Sequence, residues 1–124
     1  MKKLIGSIAL AVIAATGPAA AQTYPEQAVT LVVPYGPGGA SDLAGRALAE
    51  TAPAALGQPV TVMNRPGAGG MNGARSVAQA DADGYTLLLA RVGMALSPAV
   101  TPQSAVAWDA YTFLGMLEAT PMIL

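Results

Sequence analysis

Two short stretches carry the residue types most suited to chemistry. The first is Tyr35-Gly-Pro-Gly-Gly-Ala-Ser-Asp42, the second Asn64-Arg-Pro-Gly-Ala-Gly-Gly70 followed by Met71. Each stands just before a segment of helical periodicity, and the chemistry they suit is the holding of an anion. The first amides of a helix lack intrahelical partners and carry roughly half a positive charge. Glycine at that point removes the Cβ that would keep an anion away from them. Gly38, Gly39 and Ala40 meet this requirement at the first turn, and Gly69, Gly70 and Met71 at the second. Two such ends facing one cleft can hold a carboxylate or phosphate without a basic side chain. Asp42 is ill suited to touching an anion; it either caps the following helix or accepts a hydrogen bond from a ligand hydroxyl, amide or water. The alternative is that these glycines serve only tight strand-to-helix turns.

Other chemistries find little support. Gly36-x-Gly38-x-x-Ser41 and Gly67-x-Gly69-x-x-Asn72 both lack the third glycine of a dinucleotide fingerprint, and no Gly-Lys-Ser/Thr follows either turn. The chain has no His and no Cys, which removes Ser-His triads, thiol nucleophiles and disulfides from this sequence. Asp81 and Asp83 are close together but belong to a polar turn, and Ser41 has no neighbouring base. Arg65 and Arg75 are read as surface residues with anion contact as the alternative; Trp108 belongs either to the core or to a cleft rim. No metal and no cofactor are expected.

The elements that must position the two turns follow from hydrophobic pattern. Val29–Val33 is a β-branched, nearly continuous apolar run, as in a strand buried on both faces. Pro34 ends it, and Ser41 or Asp42 can cap the next helix. Leu43, Ala44, Ala47, Leu48, Ala52 and Leu56 share one helical face. Pro53 removes an amide donor and clashes with the Ala49 carbonyl, so a kink or break is expected near Glu50, with Gly57 closing the remnant. Val60–Met63 reads as a second strand and Met71–Ala80 as a second helix with Met71, Ala74, Val77 and Ala78 inward. Tyr85–Ala90 reads as a third buried strand. Gly93–Ala99 allows one helical turn before Pro98, Ser104–Ala110 is loop or short helix, and Thr112–Glu118 is expected as a fourth strand. Strand-helix-strand-helix-strand order implies an α/β fold with a mostly parallel sheet. Ligands in such sheets bind beyond the carboxyl ends of the strands, where both glycine-rich turns fall.

The N-terminus sets the compartment. Met1-Lys2-Lys3, the apolar run Leu4–Ala15, the breaker Thr16-Gly17-Pro18 and the small residues Ala19-Ala20-Ala21 together predict a signal peptide cleaved after Ala21. The apolar run is shorter than the roughly 20 residues that span a bilayer, so no membrane insertion is expected after cleavage. With no Cys, a lipid anchor is excluded. Residues 22–124 carry four Arg (46, 65, 75, 91), no Lys and seven acids, a net charge of −3 that argues against nucleic acid. The chain stops within the apolar Ala119-Thr-Pro-Met-Ile-Leu124, and we read it as part of a longer protein.

With these residues in view, the chain resembles the Bug-type extracytoplasmic solute receptors of tripartite tricarboxylate transporters. The resemblance rests on Tyr24-Pro25, Val33-Pro-Tyr-Gly-Pro-Gly-Gly39 with Asp42, Leu56-Gly-Gln-Pro-Val60, Asn64–Gly70, Asp83-Gly-Tyr-Thr-Leu-Leu-Leu89 and Ser97-Pro98, in that order. It implies a two-lobed periplasmic-binding-protein-like fold that closes over its ligand, with 22–124 as the opening part of the first lobe. It implies small carboxylates as ligands: di- and tricarboxylates, some aromatic acids, some amino acids or amides. Mapped onto this sequence, the pocket would be formed by Tyr35 and Gly38–Asp42 (Gly38, Gly39, Ala40, Ser41, Asp42), by Asn64 with Gly69, Gly70 and Met71, and by a third segment starting at Arg91. The chain departs from the family pattern at Ala90-Arg-Val-Gly-Met94, where a small Gly/Ser/Thr-rich turn is usual, and at Pro53. Arg91 is either a charged ligand contact or outside the cleft, and Met94 would make that wall more apolar.

The leading expectation is therefore a periplasmic receptor, monomeric and not an enzyme. It captures an organic acid and delivers it to a membrane permease. Two other classes stand beside it: a ligand sensor feeding a signalling partner, and an exported α/β enzyme with catalytic residues outside this sequence.

Overall fold

The structure, a computed structural model, describes residues 23–100 and 106–117. The predicted signal at 1–21, the segment 118–124 and the Trp108 side chain lie outside the described residues. Among these residues the chain is α/β: β1 (Val29–Val33), α1 (Ala40–Thr51), α2 (Pro53–Leu56), β2 (Val60–Asn64), α3 (Met71–Ala78), β3 (Thr86–Leu88) and α4 (Val92–Val100). Short 3-10 turns occupy Ala68–Gly70 and Trp108–Ala110.

The three strands form one parallel sheet in the order β2-β1-β3. The central place of β1 explains its composition, since Val29, Leu31, Val32 and Val33 are all buried. Each contributes about 1.5–3 kcal/mol over an exposed position. Helix α1 packs on β1 and β2, with Gly45 set against the side chains of Leu31, Val33 and Leu89. Strand alternation turns Val32 and its register partner Leu88 the other way. There, α3 packs on β3 and β1, and Met71, Ala74 and Met94 form a core cluster with Tyr35, Leu88, Val106 and Tyr111 against it.

Several elements differ from the sequence-based expectation. The helix continues geometrically through Ala52, which keeps a right-handed helical φ/ψ, and Ala52 N–H still reaches Leu48 O at 2.8 Å. The division falls at Pro53, three residues past Glu50, because the missing donor is Pro53's own; Gly57 then closes α2 at φ +70°. The second helix ends at Ala78, two residues short of the predicted boundary. The third strand is only Thr86–Leu88 and half-buried; among the described residues β3 is a sheet edge with β1 as its one strand neighbour. Helix α4 runs through Pro98 to Val100, so that proline does not stop it. Residues 112–117 form no strand: Phe113, Leu114 and Met116 are 84%, 75% and 77% exposed. Their apolar pattern signals a need for burial, and no strand edge among the described residues meets it.

Candidate functional site

The register fixes where the loops emerge. Val33 pairs with Asn64, and Val32 with Leu88, so all three strands end at one edge of the sheet. The edge is extended by Arg65 N–H donating to Val33 O at 2.8 Å and Leu89 N–H donating to Val32 O at 3.0 Å. Tyr35–Gly39, Arg65–Gly70 and Leu89–Arg91 therefore leave the sheet side by side.

In the first loop, Gly38 adopts φ +81°, a left-handed conformation, and the space where its Cβ would stand is empty. Gly39 is the N-cap of α1, with no side-chain capping hydrogen bond. Neither Ser41 nor Asp42 caps the helix: they fall at its second and third positions, both buried. The ladder begins with Leu43 N–H donating to Gly39 O at 3.0 Å, so the amides of Ala40, Ser41 and Asp42 precede it.

Asp42 instead reaches back into the loop. Its Oδ2 accepts from Gly38 N–H at 2.9 Å and from Arg46 Nε at 2.9 Å, and its Oδ1 accepts from Asn64 Nδ2 at 2.9 Å. The Arg46 guanidinium, then the Gly38 amide and the Asn64 amide, hold this carboxyl well below the usual carboxylate range. Asn64 Nδ2 also donates to Tyr35 O at 3.1 Å, and its Oδ1 accepts from the Arg46 guanidinium at 3.5 Å.

The second loop is wound differently. Gly67, Ala68, Gly69 and Gly70 have φ of +122°, +48°, +65° and +99° in succession. This run folds the turn onto itself: Gly70 N–H donates to Gly67 O at 3.0 Å, Met71 N–H to Ala68 O, and Asn72 N–H to Gly67 O at 3.5 Å. The amides of Gly70 and Met71 are thus taken up within the turn, which differs from the open helix end that the glycines suggest. A Cβ on Gly70 would lie 3.4 Å from the Tyr35 hydroxyl and 3.3 Å from Met94 Sδ. The Tyr35 ring therefore leans across the second turn, and the two loops meet there. Burial raises the Tyr35 hydroxyl pKa, and the nearby Arg91 guanidinium opposes that shift.

The structure thus brings Tyr35, Gly38, Gly39, Ala40, Ser41 and Asp42 to one sheet edge with Asn64, Gly69, Gly70, Met71 and the exposed Arg91. Met71 faces the core as well as the turn, and Met94 is fully buried beneath Gly70. Asp83 Oδ1 accepts from Tyr85 N–H at 2.9 Å, an Asx turn at the opposite edge.

A domain described as the tripartite tricarboxylate transporter family receptor matches residues 44–124. The chain belongs to this receptor family. It is 48% identical over 99 residues to protein BugT of Bordetella pertussis, covering 75% of this chain and 30% of BugT. It is also similar to the solved structure of the periplasmic binding protein BugD, with 45% identity and a TM-score of 0.59 over 60% of this chain and 25% of that one. MatC from Rhodopseudomonas palustris, solved with bound malate, shares 42% identity and a TM-score of 0.51 over 52% of this chain and 22% of MatC. The chain spans about a third of the length of the curated relatives it matches. Receptors of this family are periplasmic solute-binding proteins. Among the described residues, no helix is long and apolar enough to cross a membrane.

Two site-shaping residues of this family member escape a reading of its sequence. Arg46 had a signal in its i,i+4 spacing from Asp42, a pairing that helices favour. Gly73 had one too, as a glycine inside a helical pattern, which marks a close approach. It lies where a Cβ would stand 2.7 Å from Pro34 Cβ and 3.0 Å from Arg65 O.

Proposed function

We propose that this chain supplies ligand-binding loops of a periplasmic receptor for a small organic acid, a dicarboxylate first among the candidates, and that it is not an enzyme. The receptor delivers its ligand to the membrane permease of a tripartite tricarboxylate transporter. The observation that carries this reading is the meeting of the Tyr35–Asp42 loop, with the start of α1, and the Gly67–Met71 turn at the carboxyl edge of a parallel sheet. The amides of Ala40 and Ser41 precede the helical ladder and present partial positive charge there, suited to one carboxylate. Tyr35 adds a hydroxyl and an aromatic wall, and Arg91 stands at the rim as a site for a second negative group. The malate bound to MatC is an acid of this class. Ligand binding would shift an open-closed equilibrium of the receptor, the closed form being what a permease distinguishes.

Calorimetric titration of the intact, export-processed protein with malate, succinate, adipate, citrate and a neutral diol of similar size tests this reading. Saturable heat with at least one acid and none with the diol is expected. Folded protein that is silent to the whole panel would sink it.

A further inference from the structure

Asp42 and Asn64 look like pocket residues by position, but their polar atoms face one another and the backbone. Asp42 is 2% exposed, and three donors occupy its carboxylate. Asn64 donates from Nδ2 to two acceptors, the Tyr35 carbonyl and Asp42 Oδ1. The opposite amide orientation would set an oxygen against both of those acceptors, so the neighbours fix the assignment. Both N–H groups of Asn64 are engaged, and a buried anion at Asp42 would repel a ligand carboxylate. Arg46 closes the network from the α1 side through contacts to both residues, with its side chain 55% exposed.

From this arrangement we infer that Asp42, Asn64 and Arg46 are positioning residues: they set the path of the Tyr35–Gly39 loop and do not themselves touch ligand. The inference deepens the receptor reading and rests on it. Asn64 ends β2, the strand from which the second loop departs, and its amide holds the Tyr35 carbonyl. Asp42 holds the Gly38 amide and so the left-handed turn that aims the start of α1 at the sheet edge. Arg46 neutralises the carboxylate that does this. A loop fixed before the ligand arrives loses less freedom on binding, which raises affinity with no added contact.

The informative variants are Arg46→Gln and Arg46→Lys, since a half-exposed position tolerates change; Asn64→Ala is the harsher companion. Each is made in the intact receptor. Malate affinity is measured by calorimetry at two salt concentrations, and Gly38 amide exchange by NMR without ligand. We expect Arg46→Gln to weaken malate about tenfold, as for loss of one charged hydrogen bond. Its salt dependence should match wild type, Gly38 exchange should be faster, and Arg46→Lys should recover part of both. Unchanged malate affinity in folded Arg46→Gln overturns the inference. So does weakened affinity with unaltered Gly38 exchange and a reduced salt slope, which would make Arg46 a direct ligand contact. If wild type itself binds no acid in the panel, the receptor reading fails, and Gly38 exchange alone decides whether Arg46 sets the loop.

Discussion

Gly73, in the first turn of α3, meets Pro34 so closely that a Cβ on the glycine would stand 2.7 Å from Pro34 Cβ and 3.0 Å from Pro34 Cα. The helix after the second loop thus rests directly on the residue that ends β1 and opens the first. The contact is backbone on ring, with Arg65 O as a further neighbour at 3.0 Å. Neither can yield by changing rotamer.

That rigidity ranks two glycine substitutions. Alanine in a helix gains about 0.5–1 kcal/mol over glycine from propensity alone. At Gly73 the overpacking term, about 1–3 kcal/mol, should exceed it and separate α3 from the first loop. At Gly45 the nearest atoms are side-chain methyls of Val33, Leu31 and Leu89, at 2.9, 3.4 and 3.6 Å. Gly73→Ala should therefore destabilise more than Gly45→Ala in urea denaturation, and only Gly73→Ala should weaken acid binding. The reverse order would show that the α1 face is the tighter one.

Ala68 is the residue of the second loop that adopts φ +48° without being glycine. An L-residue in that region costs about 1–2 kcal/mol relative to the right-handed one, a cost that glycine escapes. Glycine also brings a looser unfolded chain, which offsets about 0.5–1 kcal/mol of that relief. Ala68→Gly should raise the unfolding free energy by up to about 1.5 kcal/mol, read from the denaturation midpoint. A fall in the midpoint would mean that the Ala68 methyl has a packing role that outweighs its backbone strain.

Much of this architecture is legible in the sequence, and the illegible parts share a cause. Val29–Val33 announces a central strand because burial on both faces demands an unbroken apolar run. Pro53 and Gly57 mark the end of α1 and of α2 through covalent constraints that act locally. Thr112–Leu117 carries the same apolar signal as β1, yet stays unpaired among the described residues, because a strand needs a partner edge and local pattern cannot supply one. The glycines of Gly67–Gly70 correctly place a turn at a helix start. They do not tell whether its amides point outward or, as found for Gly70 and Met71, close on Gly67 and Ala68. Asp42 is readable as a helix-start residue, and its partners Gly38 and Arg46 lie four residues to either side, but the third, Asn64, comes from the end of β2, which local pattern does not reveal.

The Asp42 network also sets a pH dependence. Its carboxyl titrates lower in the folded protein than in the unfolded chain, chiefly through Arg46, then Gly38 and Asn64. A depressed carboxylate pKa adds stability that is fully present above the unfolded value, about 4, and is lost as pH falls below it. Wild-type stability should therefore decline from about pH 4 downward. Asp42→Asn, which cannot titrate, should be less stable at neutral pH and show a flatter decline over the same range. Parallel pH profiles for the two proteins would remove Asp42 as the source.

Met94 links the core to the site most directly. It is fully buried, in contact with the Met71–Ala74 side of α3, and its sulfur lies beneath the Gly70 backbone that Tyr35 overhangs. Truncation to alanine leaves a cavity under both loops, at a cost of about 2–5 kcal/mol. Leucine keeps most of the volume and should cost under about 1.5 kcal/mol. The loops should respond in proportion, because Tyr35 loses the surface on which its ring rests. Met94→Ala is therefore expected to weaken acid binding in the folded population, where Met94→Leu leaves it near the wild-type value. Calorimetry below the melting temperature of each variant separates this effect from unfolding. Equal affinities in all three proteins would mean that the loops hold their shape through the Asp42–Asn64 network alone.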